Sequence, residues 1–144
     1  MPSGVGTQTK YVIEALLNSG KFNVISLGGA IKHHNYEPKS IEGYPGFWEI
    51  FPIDGYGNAQ MISQFIADRK PDILYFMTDP RFYEWLWSID DQIRDKVPMI
   101  YYHVWDNYPF PKFNQRYYDA NDVIATISKV TSDIVQNVSP SVEE

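Results

Sequence analysis

Along the first third of the chain, the spacing of apolar residues changes from one typical of a helix to one typical of a strand. Residues 7–18 carry apolar side chains at helical spacing, namely Val12, Ile13, Leu16 and Leu17, which predicts an amphipathic helix. The apolar run over residues 22–28 predicts a strand that ends at Gly28-Gly29. Residues 30–46 show no periodicity and contain prolines and glycines, so they predict a loop.

Strand and helix patterns alternate through the rest of the chain. Strands are predicted over residues 47–53, 73–77, 97–105 and 122–127. Helices are predicted after Asn58, from Asp79-Pro80 through Ile93, over residues 113–119, and over residues 129–138 with Ser128 as the cap. Strands that alternate with helices predict an α/β fold, a Rossmann-like, doubly wound parallel sheet in a single domain spanning residues 1–144.

The chain begins with a glycine turn where such a fold would have its first strand. Only three residues precede Gly4-Val5-Gly6, although a turn of this kind normally follows a buried strand. We therefore expect the first strand to be missing or supplied elsewhere. Its neighbours would then expose unpaired backbone, so we also expect self-association through the open sheet.

Composition narrows the class of partner. The formal net charge of −6 over 144 residues argues against nucleic acid and against strong binding to an anionic membrane. The sequence has no run of 18 apolar residues and no signal-peptide pattern. It also has no cysteine, which fits a reducing compartment, and we expect a cytoplasmic location.

The candidate chemistry lies where strands end, because ligands of such sheets bind outside the carboxyl ends of the strands. The segment Gly4-Val5-Gly6-Thr7 opens a helix and predicts a phosphate site. It is not the full dinucleotide motif, since Thr9 stands at the third glycine position. The alternative is a turn with a purely structural role.

His103 is the strongest candidate for a catalytic group. It ends an apolar strand, so its imidazole should emerge at the ligand edge, and Asp106 could orient it or act beside it. The alternative is a packed histidine. His33-His34 lacks a third firm ligand, and we expect neither a metal site nor a cofactor.

Four stretches together resemble the amino-terminal domain of the group-one glycosyltransferases, which have the GT-B fold. The first is Ser3-Gly4-Val5-Gly6-Thr7-Gln8-Thr9 with the helix after it. The others follow in the same order as in that family: residues 70–74, residues 97–103, and residues 122–128. The resemblance covers nearly the whole chain through the order and spacing of short motifs.

The resemblance implies a metal-independent transfer of a sugar, with retention, from a nucleotide-sugar donor to an acceptor. Gly4, Val5, Gly6 and Thr7 would meet the donor's diphosphate or sugar, and His103 would act at the transferred sugar. The acceptor side would be formed by residues of the loops that follow the strands, namely Asp79, Trp105, Tyr108, Phe110 and Ser128.

The family also has a carboxy-terminal domain that supplies most nucleotide contacts, and no counterpart is present in this sequence. We therefore expect a glycosyltransferase fragment that is inactive without that half. Two alternatives stay open, a non-catalytic module that binds a nucleotide or carbohydrate, and a structural or interaction domain.

Overall fold

The computed structural model describes residues 3–29 and 31–142 of the chain. These residues form two compact units, one up to Gly57 and one from Asn58 onward. Each unit has a three-stranded sheet of its own, with one helix in the first unit and several in the second. Among the described residues, no helix has the length and apolar character needed to cross a membrane.

The first unit contains one helix and three strands. Helix α1 spans Gly4–Asn18, and the strands are β1 (Val24–Gly28), β2 (Lys39–Ile41) and β3 (Trp48–Pro52). Strand β3 lies between the other two, parallel to β1 and antiparallel to β2. The sheet of this unit is therefore mixed.

The core of the first unit forms where α1 meets the sheet. Ile13 and Leu17 of the helix pack with the buried Trp48 of β3. The indole Nε1 of Trp48 donates to the Ser26 hydroxyl at 3.0 Å, which satisfies the polar atom of this large side chain. Of the apolar stripe read from the sequence, Ile13 and Leu17 are buried, whereas Val12 and Leu16 are half-buried.

Strand β2 corrects the prediction that residues 30–46 form a loop throughout. Lys39 pairs with Ile50 and Ile41 pairs with Trp48. Ile41 packs against the core of the unit, and this tertiary contact outweighs the weak strand propensity of a three-residue segment. Ala30 lies outside the described residues.

The second unit alternates helices and strands in chain order. Its elements are α2 (Ala59–Arg69), β4 (Leu74–Met77), a 3-10 turn (Pro80–Tyr83), α3 (Glu84–Trp87), α4 (Asp90–Arg94), β5 (Met99–His103), a second 3-10 turn (Lys112–Asn114), α5 (Gln115–Asp119), β6 (Val123–Thr126) and α6 (Lys129–Val138). The three strands form a parallel sheet in the order β4-β5-β6.

The structure does not contain the single helix that was predicted from Asp79-Pro80 through Ile93. The segment is broken into the first 3-10 turn, α3 and α4. Its four aromatic residues are Phe82, Tyr83, Trp85 and Trp87. Side chains of this size lose rotamer freedom against the preceding helical turn, and here Trp87 is drawn into the core against Phe76 and Tyr101.

The aromatic residues form the core of the second unit. Phe76 of β4 stacks on Tyr101 of β5 with ring centroids 5.2 Å apart and an interplanar angle of 15°. Trp87 packs against both rings and donates its indole N–H to the Pro80 carbonyl at 2.7 Å. Part of the high aromatic content is therefore structural.

The α/β class is confirmed, with parallel pairing in both sheets. The strands after Asn58 and the helix capped by Ser128 lie where the sequence predicts them, within one or two residues. One doubly wound sheet, a single domain, a missing first strand and self-association through an open sheet edge stay predictions.

Candidate functional site

Three predicted site residues follow consecutive strands of the parallel sheet. The register pairs Met77 with Tyr102 and His103 with Thr126, so the three strands end level with one another. The residues that follow are Thr78-Asp79 after β4, Val104-Trp105 after β5, and Ile127-Ser128 after β6. Asp79, Trp105 and Ser128 thus lie at one edge of the sheet, which we call the carboxyl edge.

His103 lies at this edge but does not emerge from it. Only 1% of the residue is exposed to solvent. Its Nε2 atom lies 2.6 Å from the Tyr118 hydroxyl, and its Nδ1 atom lies 3.0 Å from the Tyr101 hydroxyl. The interpretation of His103 as a packed histidine describes this arrangement, and the imidazole does not extend to the ligand edge as expected.

The protonation of His103 follows from the direction of the hydrogen bonds around it. Tyr101 donates its hydroxyl proton to the Thr78 carbonyl at 2.5 Å, and a carbonyl can only accept. The Tyr101 oxygen therefore accepts from His103, which places the imidazole proton on Nδ1. Nε2 then accepts the proton of Tyr118, so the neutral ring is satisfied at both nitrogens.

Asn114 extends this chain of hydrogen bonds by one donor. Its Nδ2 donates to the Tyr118 oxygen at 3.3 Å, while its Oδ1 is buried without a hydrogen-bond partner among the described residues. Asn114, Tyr118, His103 and Tyr101 are all buried. We call these four residues the buried polar chain.

Burial sets the electrostatics of the buried polar chain. It lowers the pKa of His103 to about 4, against a small opposing effect of the Asp79 carboxylate. Burial also raises the pKa of Tyr118 to about 12, although the Asn114 amide works against that shift. The pKa of Tyr101 is raised well above its ordinary value for the same reason. All three groups are neutral near pH 7.

Asp79 is held by an arginine on the same turn. Its carboxylate accepts from the Arg81 backbone N–H at 3.0 Å and from the Arg81 guanidinium Nε at 2.9 Å. The hydrogen bond from Arg81 is the main reason why the pKa of Asp79 lies below its ordinary value. Asp79 therefore begins the 3-10 turn at Pro80 as an N-cap, and it is ionised at neutral pH.

The loop after β5 presents aromatic rings beside the buried polar chain. Trp105 lies over His103 with ring centroids 6.4 Å apart, and its Nε1 donates to the Asn107 carbonyl at 3.0 Å. Tyr108 and Phe110 pack edge to face at 5.4 Å and are exposed. Trp105 also packs edge to face with Phe113 at 5.9 Å, so the loop carries two aromatic pairs.

Asp106 is exposed on this loop and does not orient His103. Tyr101 and Tyr118 occupy the two ring nitrogens that a carboxylate could reach. The only carboxylate with an electrostatic effect on His103, among the described residues, is that of Asp79. The structure therefore does not bring together the predicted pair of His103 and Asp106.

Ser128 caps helix α6 at the same edge. Its hydroxyl accepts from the Thr131 N–H at 3.3 Å and lies 3.1 Å from the Thr131 hydroxyl. A hydroxyl at this position satisfies an N–H group that the first helical turn leaves open. The local sequence thus explains Ser128 as a helix cap.

The glycine turn belongs to the first unit, where it forms the first turn of α1. Helix α1 begins at Gly4, three residues earlier than predicted, because Ser3 caps it. The Ser3 hydroxyl accepts from the Gly6 N–H at 3.0 Å, and the Ser3 carbonyl accepts from the Thr7 N–H at 2.9 Å. Gly4 has open space where a side chain would begin.

Sequence reasoning missed three residues of the buried polar chain, namely Tyr101, Tyr118 and Asn114. A signal for them exists, because Tyr101 and His103 alternate on one face of a strand and Asn114 and Tyr118 are four residues apart. What the sequence does not reveal is that these two polar pairs face each other across the core.

Two further observations concern ligands. Among the described residues, no group of three or more histidine, aspartate or glutamate side chains could hold a metal ion. A cleft of about 370 Å³ is lined by Ile66, Ala67, Lys70, Pro71 and Lys96. It lies where the chain enters β4 and β5, away from the carboxyl edge.

Comparison of this chain with protein-family models, with curated proteins and with solved structures found no match.

Proposed function

We propose that this chain is the acceptor-side domain of a retaining glycosyltransferase of the group-one family, which uses a nucleotide sugar as donor. The observation that carries the proposal is the carboxyl edge of the parallel sheet. Asp79, Trp105 and Ser128 follow three adjacent strands that end level with one another. This is the edge at which parallel α/β sheets bind their ligands.

His103 has a positioning role in this proposal. Because Tyr101 and Tyr118 fill both ring nitrogens, the imidazole reaches a sugar hydroxyl only after one of the two phenols leaves. In the arrangement described, the ring supports Trp105 from below. Direct catalysis by His103, or by His103 with Asp106, stays a prediction.

The first turn of α1 is proposed to hold the donor's phosphates. A helix N-terminus offers unpaired N–H groups and a partial positive charge, and both favour an anion. Ser3 already occupies the N–H groups of Gly6 and Thr7. A phosphate would therefore bind at Gly4 and Val5 or displace the Ser3 side chain.

The proposal also includes a second domain, a reaction without metal or cofactor, and a cytoplasmic location. A carboxy-terminal domain would supply most contacts to the nucleotide, and without it we expect the chain to transfer no sugar. No metal or cofactor is required by the reaction that the resemblance implies, and a cytoplasmic location belongs to the same proposal. Sugar transfer by the purified chain would contradict the expected inactivity.

A second candidate function is a non-catalytic module that binds a nucleotide or a carbohydrate. The observation in its favour is the buried His103, whose nitrogens are both satisfied within the protein. Such a ring can order a binding surface without taking part in a reaction. The first candidate requires a nucleotide sugar at the glycine turn, whereas a carbohydrate-binding module does not.

The experiment is an amide NMR titration of the whole chain with UDP-glucose, GDP-mannose and ADP-glucose. We expect one of them to shift the amides of residues 4–7 saturably, and Gly4→Val to abolish the shift by covering the first turn. Gly4 tolerates the added side chain because no atom lies within 4 Å of the new Cβ position. Lys10→Gln is the control for attraction by charge alone. Unmoved amides of residues 4–7 with all three donors would overturn the proposal.

A further inference from the structure

We propose that residues 105–113, which we call the aromatic loop, form a platform for an uncharged pyranose ring. Tyr108 and Phe110 would supply the apolar surface, and the Asp106 carboxylate would accept hydrogen bonds from the sugar hydroxyls. This inference rests on the proposed function, because it names the chemical class of the acceptor.

The aromatic loop exposes an unusual amount of ring surface. The exposed fractions are 55% for Tyr108, 39% for Phe110 and 60% for Phe113. Solvent-exposed rings that lie close together cost free energy unless a ligand covers them. A pyranose has an apolar C–H face and a polar circumference, so its face can cover a ring while its hydroxyls stay hydrogen-bonded.

The rings are held in place before any ligand arrives. Tyr108 and Phe110 pack edge to face at 5.4 Å, and Trp105 and Phe113 do so at 5.9 Å. Beneath the loop, Pro111 and Asn114 are buried. Because these contacts restrict the rings in advance, binding loses less side-chain entropy than it would at isolated rings.

The charges of the aromatic loop favour a neutral ligand. Residues 105–113 contain one acid, Asp106, and one base, Lys112. A surface for an anionic membrane would need an excess of basic residues, whereas this loop is balanced and the whole chain carries a net charge of −6. An uncharged polyhydroxylated ring fits the rings and the exposed carboxylate together.

Asp106 receives a different role here from the catalytic one predicted. It is exposed between two aromatic side chains, Trp105 and Tyr108, and its neighbour Asn107 is exposed as well. An ionised carboxylate is a strong acceptor for hydroxyl donors. In the proposed platform, the exposed Asp106 would select a sugar hydroxyl.

The test is a calorimetric and NMR titration of the whole chain with neutral trisaccharides of α- or β-linked glucose, mannose and galactose. We expect one of them to bind saturably, to shift the amides of residues 105–113 and to shift the indole N–H signal of Trp105. Replacing both rings, Tyr108→Ala with Phe110→Ala, should weaken that affinity by about ten-fold or more. Asp106→Asn should weaken it by about three-fold, through loss of charge-assisted hydrogen bonds.

Tyr11→Ala is the matched control, because Tyr11 is an equally exposed aromatic side chain on α1. It should leave the affinity unchanged. The proposal is overturned if no trisaccharide binds at concentrations on the order of 10 mM. It is also overturned if the loop rings mediate binding to phosphatidylglycerol vesicles or concentration-dependent dimers in light scattering.

The two proposals fail separately. Trisaccharide binding reports on residues 105–113, whereas nucleotide-sugar binding reports on residues 4–7. If the chain binds a trisaccharide but no nucleotide sugar, the platform proposal is supported and the transferase proposal is contradicted. If the chain binds only the nucleotide sugar, the platform proposal is contradicted.

Discussion

The hydroxyl of Tyr118 lies 2.6 Å from Nε2 of His103, and both side chains are buried. Because Nδ1 donates to Tyr101, Nε2 must accept, and the Tyr118 hydroxyl is its donor. The pair joins α5 to the end of β5 just below the aromatic loop. The His103 ring, over which Trp105 lies, is therefore oriented by a contact inside the core.

Tyr118→Phe should destabilise the protein by about 1–3 kcal/mol, because it leaves the buried Nε2 acceptor of His103 without a donor. Urea unfolding measures the free energy of unfolding directly. Nitrogen NMR of the imidazole provides the second measurement, since the wild type should show a neutral ring with its proton on Nδ1.

Tyr117→Phe is the control for this prediction, because it removes a hydroxyl from the next residue of α5. The Tyr117 hydroxyl contacts the exposed Glu84 and Arg116, so its loss should cost less than that of Tyr118. Equal effects of the two variants, or an Nε2-protonated ring in the wild type, would contradict the derived direction of the hydrogen bonds.

The stability of the protein should fall on acidification because His103 is buried in its neutral form. Burial lowers its pKa from 6.5 to about 4, so the unfolded chain binds more protons between these values. This contribution is fully present above pH 6.5 and is lost as the pH falls toward 4, by a total of about 3 kcal/mol.

His103→Gln isolates the effect of protonation. At pH 7.5 the variant should be less stable than the wild type, and the difference should shrink by about 1.4 kcal/mol per pH unit below 6.5. The control His34→Gln changes an exposed histidine and should keep the wild-type pH dependence. A difference between His103→Gln and the wild type that stays constant from pH 7.5 to 4 would contradict the prediction.

Asp122 fixes the opposite end of the same sheet. Its carboxylate accepts from the Met99 N–H at 2.8 Å and from the Arg94 guanidinium at 2.8 and 2.9 Å. Burial alone would raise the pKa of Asp122, but the hydrogen bonds from Arg94 and Met99 hold it below its ordinary value. The carboxylate is thus ionised where β5 and β6 begin.

Asp122→Asn should destabilise the protein by about 1–2 kcal/mol at pH 7, through loss of hydrogen bonds to a charged group. Asp95→Asn, which changes an exposed acid at the end of α4, is the control and should have an effect within about 0.5 kcal/mol. The cost of Asp122→Asn should vanish as the pH falls and Asp122 itself becomes protonated. A cost that persists at low pH would show that the charge is not its source.

Elements with strong local signals could be predicted from the sequence. Helix α6 begins after Ser128 because a serine N-cap precedes an amphipathic run, and the structure places it over the predicted residues. Strand β2 could not be predicted, because three residues with little strand propensity depend on a distant contact with Trp48. The break between α3 and α4 likewise follows from core packing, which periodicity alone does not reveal.

Part of the candidate site could likewise be predicted from the sequence, and part could not. The carboxyl edge could be predicted, because parallel strands bring together the residues that follow them, as with Asp79, Trp105 and Ser128. The burial of His103 could not, since it depends on Tyr118, which lies 15 residues away on a different element. A strand end in the sequence does not reveal whether a later helix covers it.

Gly46→Ala should destabilise the first unit through a backbone clash. A Cβ at this position would lie 2.2 Å from the Phe22 carbonyl oxygen and 3.0 Å from Cδ2 of Leu17. The carbonyl cannot rotate away freely, because Phe22 lies just before β1 and Gly46 just before β3, two strands that pair in register. We expect a loss of about 1–3 kcal/mol, typical of overpacking.

Gly4→Ala is the matched control, since its new Cβ meets no atom within 4 Å. It should be neutral or stabilise α1 by up to about 1 kcal/mol, because alanine favours the helix more than glycine does. Hydrogen exchange of the β1 and β3 amides measures both variants in the unit concerned. If Gly46→Ala leaves that exchange as slow as Gly4→Ala does, the close approach of Gly46 to the Phe22 carbonyl is not a feature of the folded protein.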